Sequence, residues 1–76
     1  MTDWRNNIST NPEIRFGKPC IKNTRITVED ILGWLASEMT IEEITQDFPE
    51  INRSDILVAL AFAAHRESIS KILMTA

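Results

Sequence analysis

The stretch Gly17-Lys18-Pro19-Cys20-Ile21-Lys22-Asn23-Thr24-Arg25-Ile26 decides how the rest of this 76-residue chain is read. Ten positions hold three cations, a turn-forming Gly-Lys-Pro, a second turn signal at Asn23 and isoleucines at 21 and 26. Gly and Asn are the residues that enter left-handed turns most readily, and Pro cannot continue a helix. The stretch therefore predicts a basic β-arm, set ahead of a part that reads as helical. Upstream, Trp4–Ile8 is the other segment with strand character, and Cys20–Ile26 is its candidate partner. Ser9-Thr10-Asn11-Pro12 and Phe16-Gly17-Lys18-Pro19 carry turn or loop chemistry. A two-stranded ribbon is marginal in water, so it must lie on something. Its pairing partner is either in the same chain or in a second subunit.

Downstream, one device marks three helix starts. Thr27 with Asp30, Thr40 with Glu43 and Asn52 with Asp55 each place a capping side chain three residues before an acid that can reach back to it. An apolar residue precedes each cap and has a partner at the fourth helical position: Ile26 with Ile31, Met39 with Ile44, Ile51 with Ile56. The first helix is expected over Val28 to Ser37, with Val28, Ile31, Leu32 and Leu35 on one face and Trp34 at its edge. The second runs from Ile41 to Phe48, where Pro49 ends it, and the third starts after Asn52 with no Gly or Pro to stop it. The expected fold is mainly α: one domain over residues 1–76, with a short N-terminal β-hairpin or arm (1–26) on a tri-helical, homeodomain-like helix-turn-helix head (27–76).

A chain this short buries about 60% of its unfolded surface, so its core gains from a second copy or a partner, and a homodimer is expected. The apolar fraction, 43%, suits a folded protein. Cys20 is the single cysteine and reads as a small reduced hydrophobe, not as half of a disulfide or metal site. No apolar run approaches the roughly 18 residues of a membrane span, and no signal peptide opens the chain, so a cytoplasmic location is expected. The net charge of −3 is unevenly spread: residues 1–28 carry +3 and residues 29–76 carry −6. Such asymmetry suits an arm that meets phosphates or an acidic surface. It equally suits a basic arm attracted by its own acidic head.

The third helix argues against an ordinary DNA reader. Ile56 to Ala64 contains no polar residue, whereas a recognition helix presents polar and basic groups to base edges. Ile56, Leu60, Ala63 and Ala64 are expected to face the core. Val58, Phe62, His65, Ile69 and Ile72 then form a second stripe, expected to meet a dimer mate or partner. Arg53 and Ser54 are the only groups at the helix start that reach toward a groove, and nearby acids oppose a phosphate backbone. Lys18, Lys22 and Arg25 in the arm, with Arg53, are thus the candidate DNA-contacting residues. Enzyme chemistry finds no support: His65 sits alone on an apolar stripe, and Glu29-Asp30 and Glu42-Glu43 are first-turn acids favoured by the helix dipole. No catalytic residue, metal ligand or cofactor motif is expected.

The segment Gly17 to Val28 resembles the signature of the domain-of-unknown-function 433 family of small prokaryotic proteins: Gly-Lys-Pro, an apolar residue, Ile, a basic residue, Gly, Thr-Arg, then Ile or Val. The similarity extends to Ile8-Ser9-Thr10-Asn11-Pro12-Glu13, to Thr40-Ile41-Glu42-Glu43-Ile44 with Phe48-Pro49, and to Ser54-Asp55-Ile56 with Ala59-Leu60-Ala61. Asn23 stands where the signature has Gly, and Asn also tolerates a left-handed turn. The resemblance implies an antitoxin-like protein of a toxin–antitoxin pair, with a PIN-like nuclease toxin as partner and duplex DNA as a second candidate. Within the matched motif, the resemblance points to Lys18, Lys22, Thr24 and Arg25 for arm function and DNA contact, with turn geometry the favoured role of Gly17, Pro19 and Thr24. In an antitoxin, the third-helix stripe or the tail Ser68–Ala76 is expected to meet the toxin, where Arg66 or Lys71 could reach an acidic metal site. The competing reading is a dimeric protein-interaction module without nucleic-acid binding.

Overall fold

The protein was analysed as a computed structural model that describes residues 6–75, with side chains described through Arg66. Along the chain come β1 (Ile8–Ser9), β2 (Cys20–Ile21), α1 (Val28–Ala36), α2 (Ile41–Asp47) and α3 (Arg53–Thr75). The predicted helix starts are all present. Thr27 accepts from the Asp30 amide at 2.9 Å while Asp30 accepts from the Thr27 amide at 3.1 Å. Thr40 and Glu43 repeat the exchange at 3.1 and 2.9 Å, and Asn52 and Asp55 at 2.9 and 3.0 Å. Each pair satisfies two donors that a helix start would leave open, and each residue lost to alanine costs about 0.5–2 kcal/mol.

α1 ends in a Schellman turn: the Met39 amide reaches the Trp34 carbonyl at 3.1 Å and the Glu38 amide the Leu35 carbonyl at 3.0 Å. That geometry puts Glu38 at φ 70°, where glycine is the usual occupant. α2 stops ahead of Pro49, and the Ile51 amide closes a turn on the Phe48 carbonyl at 3.1 Å. Two short helices and a tight turn thus lead into a 23-residue third helix.

The arm folds into the head. β1 and β2 pair antiparallel within the chain, Ile8 opposite Ile21 and Ser9 opposite Cys20. Cys20–Ile26 is not one strand, as the sequence suggested. The chain reverses after Ile21, whose amide bonds the Ile26 carbonyl at 2.9 Å, and Cys20 bridges to Thr27. Asn23 makes this reversal at φ 66°, the left-handed role expected of it. The Thr24 hydroxyl locks it, donating to the Ile21 carbonyl at 2.8 Å and accepting from the Ile26 amide at 3.1 Å. Residues 1–5, which include most of the predicted Trp4–Ile8 strand, lie outside the described residues.

One core results, built from Ile21, Ile26, Val28, Ile31, Ile44, Ile51, Ile56 and Ala59, with Ile8, Met39 and Phe48 among the residues packed on it. Both apolar partners of the first and third capping boxes belong to it, and of the second pair Ile44 belongs while Met39 packs against it. Cys20 is buried as a free thiol, its Sγ 3.3 Å from the Lys18 carbonyl oxygen. The arm therefore supplies part of the interior that the three short elements could not close alone.

Candidate interaction surface

Among the described residues, the arm's cations divide into two groups. Arg15 and Lys18 turn inward onto the first turn of α1, Arg15 to Asp30 at 3.1 Å and Lys18 to Glu29 at 2.9 Å. The Arg15 guanidinium also donates to the Arg25 carbonyl at 3.0 Å, tying the hairpin to the preceding loop. These acids sit where the helix dipole already favours them, so each pair completes a charge arrangement at one helix end. Asp30 is held below the ordinary carboxylate value: burial pushes it up, but hydrogen bonds from the Thr27 amide and the Arg15 guanidinium, with the Arg15 charge, outweigh that. Lys22 and Arg25 occupy the exposed hairpin tip.

The predicted DNA-contacting residues are therefore not equivalent. Lys18 is engaged with Glu29, Thr24 spends its hydroxyl on the turn, and Arg53 lies 3.7 Å from Glu42. Lys22 and Arg25 keep their charges outward, along one side of an open groove of about 1030 Å³. Trp34 and Phe48, stacked at 4.1 Å between ring centroids and 11° between planes, line the same groove, and Glu50 adds an acid to it.

On α3 the structure corrects the predicted phase. Val58 is 2% exposed and lies in the interior, and Phe62 and Ala63 pack against the core, so Val58 and Phe62 do not head an outward stripe. Leu60, expected in the core, is 39% exposed, as is Leu57, and Ala64 is exposed with them. The physical reason is that α1 and α2 both pack on α3. Its buried arc then runs from Val58 through Ala59 and Phe62 to Ile56, and the outward face centres on Leu57, Leu60 and Ala64. His65 is exposed, and the side chains of Ile69, Ile72 and Lys71 lie outside the described residues.

The sequence marks a turn at Phe16-Gly17-Lys18-Pro19 but neither its backbone hand nor what it displays. Arg15, Phe16 and Gly17 form a left-handed turn with φ of 50°, 59° and 79°. Left-handed backbone costs about 1–2 kcal/mol at each non-glycine residue. The turn is held by the Gly17 amide on the Ile14 carbonyl at 3.1 Å and the Lys18 amide on the Arg15 carbonyl at 3.2 Å. At its apex Phe16 is 97% exposed. Only Gly17 advertised a positive φ, and a phenylalanine in a loop carries no local signal that it will point away from the core.

The model of a protein family of unknown function, DUF433, matches residues 8–63. The chain belongs to the DUF433 family. The match starts at β1 and ends at Ala63 in α3, so it takes in the hairpin, all three caps and the described core. The crystal structure of a DUF433 member from Anabaena variabilis ATCC 29413 superposes with a TM-score of 0.77 at 22% sequence identity, over 92% of this chain and 70% of that one. That likeness fixes the fold as the DUF433 fold. No curated protein matches the chain.

Among the described residues no group of three or more His, Cys, Asp or Glu is placed to hold a metal ion. No helix is long and apolar enough to cross a membrane, again among the described residues.

Proposed function

We propose that this DUF433 protein is an antitoxin-like binding module of a prokaryotic toxin–antitoxin pair. In this reading a homeodomain-like helix-turn-helix head offers the outward face of α3 to a protein partner, a PIN-like nuclease on the family resemblance. The observation that carries it is the identity of that face. In a DNA reader, the exposed positions early in the third helix present base-reading side chains. Here only Arg53 and Ser54, in the first turn, are polar; beyond them the exposed positions are Leu57, Leu60 and Ala64, an apolar strip on an otherwise acidic head. Adjoining apolar side chains along one helix face form a patch of the kind that a protein partner covers, unlike apolar residues scattered singly.

A pull-down against the product of the adjacent gene tests the reading. Wild-type protein captures it, and Leu57→Asp with Leu60→Asp abolishes capture while leaving the circular dichroism spectrum unchanged. Capture that survives the double substitution, or no capture by the wild type, overturns it.

Duplex DNA is the second reading, and Lys22 with Arg25 at the hairpin tip favour it. If these two groups contact phosphates, replacing both with alanine lowers the slope of log affinity against log salt by about 2 per chain. Absence of duplex binding at low ionic strength leaves the module with protein partners alone.

A further inference from the structure

Phe16 presents a nearly fully exposed phenyl ring on a turn whose backbone is held by hydrogen bonds on both sides. Beneath it, Arg15 is anchored to both the Arg25 carbonyl and Asp30, so the ring's position is set by the fold. The turn's backbone seats Arg15 on the head, but the exposure of an aromatic ring at its apex gains nothing for the isolated chain. Such backbone outliers gather at binding sites, and buried aromatic anchors dominate protein interfaces.

A receptor for the ring opens close by. A groove of about 300 Å³ begins at Lys18 and Pro19, two and three residues beyond Phe16, and Val28, Leu32, Phe62 and Ala63 form its apolar walls. Its size is at the lower end for small-molecule pockets and suits a single aromatic side chain. The Arg66 guanidinium, 5.6 Å from the Phe62 ring centroid, borders the far rim. The Lys18–Glu29 pair borders the near one. Phe16 does not fill its own groove, because its ring is in solvent.

We infer that two copies of this chain form a two-fold dimer in which Phe16 of each enters the Pro19–Val28–Leu32–Phe62–Ala63 groove of the other. The occupant is a second copy because projection and groove belong to one chain and nearly adjoin on it. An isologous contact requires that arrangement, since the same patch must both give and receive. The rim also fits itself: it carries Lys18 and Arg66 beside Glu29, whose side chain is still 69% exposed, so two rims meet with both signs present. Each inserted ring buries about 150–250 Å². Two rings and their rims make an interface at the small end for specific complexes, so an exchanging, micromolar dimer is expected. The outward α3 face takes no part, and self-association is therefore separable from capture of a partner through Leu57 and Leu60.

Sedimentation velocity over a series from low micromolar to millimolar concentration tests this. Wild-type protein passes from monomer to dimer mass. Phe16→Ala, at an exposed position, keeps the fold and unfolding curve but raises the dissociation constant by about 100-fold or more, the scale of removing an aromatic anchor from two equivalent pockets. Ala63→Leu fills the groove and weakens association in the same way. A mixture of the two variants regains one of the two contacts, because one supplies the groove and the other the ring, and pairs more tightly than either variant alone. A wild type that stays monomeric, a Phe16→Ala protein that dimerises like wild type, or a mixture with no gain overturns the inference.

Discussion

Replacing Asp30 by Asn should loosen the arm from the head, and the size of the effect can be worked from two contacts. One carboxylate oxygen accepts from the Thr27 amide at 3.1 Å and from the Arg15 guanidinium at 3.1 Å. The first contact is half of a capping box, so losing its charge-assisted form costs about 1 kcal/mol. The second joins side chains 37% and 31% exposed, and solvent screening reduces it to about 0.5 kcal/mol. Together they predict a loss of about 1.5 kcal/mol and a fall in melting temperature of roughly 6–12 °C for a domain of this size. The pH dependence follows from the depressed carboxyl. Asp30 ionises more readily folded than unfolded, so its contribution is complete above its ordinary value of 3.8 and is lost as pH falls through the lower folded value. Urea denaturation from neutral pH down to pH 2 measures both quantities. The variant should lack that part of the wild type's acid-induced loss. A melting temperature within about 2 °C of wild type, well inside the predicted range, with an unchanged acid profile, would refute the reasoning.

Three further outcomes bear on the same framework. Asn23→Val forces a β-branched residue to φ 66° and should cost about 1–2 kcal/mol by chemical denaturation, whereas Asn23→Gly should be nearly neutral. Glu38→Gly relieves φ 70° in the Schellman turn after α1 and should raise stability by up to about 1 kcal/mol, visible as a higher melting temperature. Ile44→Ala empties a fully buried site between the helices and should cost about 2–5 kcal/mol, enough to leave a small domain substantially unfolded on heating to 37 °C.

The parts of the fold that depend on near neighbours were legible in the sequence. A cap and its acid are three residues apart, so Thr27 with Asp30, Thr40 with Glu43 and Asn52 with Asp55 could be paired without knowing the tertiary structure, and the helix starts follow. The hairpin was harder. Cys20 to Ile26 has strand composition, but its path depends on whether Asn23 turns the chain and on what receives Ile21 and Ile26, both decided by the core beneath. The phase of α3 was not legible, because a helix apolar nearly all round has no polar face to mark the outside. Packing by α1 and α2 together turned Val58 inward and Leu60 outward. Of the candidate site, Lys22 and Arg25 were legible only as cations grouped with Lys18 and Arg53, and the contacts that set them apart, like the backbone angles that expose Phe16, are encoded in no spacing.

The charge asymmetry also takes on a different meaning once the contacts are known. A +3 segment ahead of a −6 segment first suggests an arm reaching for something anionic. Two of its five cations, Arg15 and Lys18, instead meet the acids in the first turn of α1, and the segment's apolar residues Ile21 and Ile26 are interior. Part of the attraction is thus spent on assembling the domain. What remains for partners is local and differs in chemistry from place to place: cations at the hairpin tip, a phenyl ring on the left-handed turn, leucines along α3. A polyanion would have to be held by the first of these while overcoming the acids at the head's helix starts, so its binding should weaken steeply with salt. Contacts through the ring or the leucines bury apolar surface and should persist as salt rises. Affinity measured across an ionic-strength series therefore separates the surfaces by their physics before any partner has been identified.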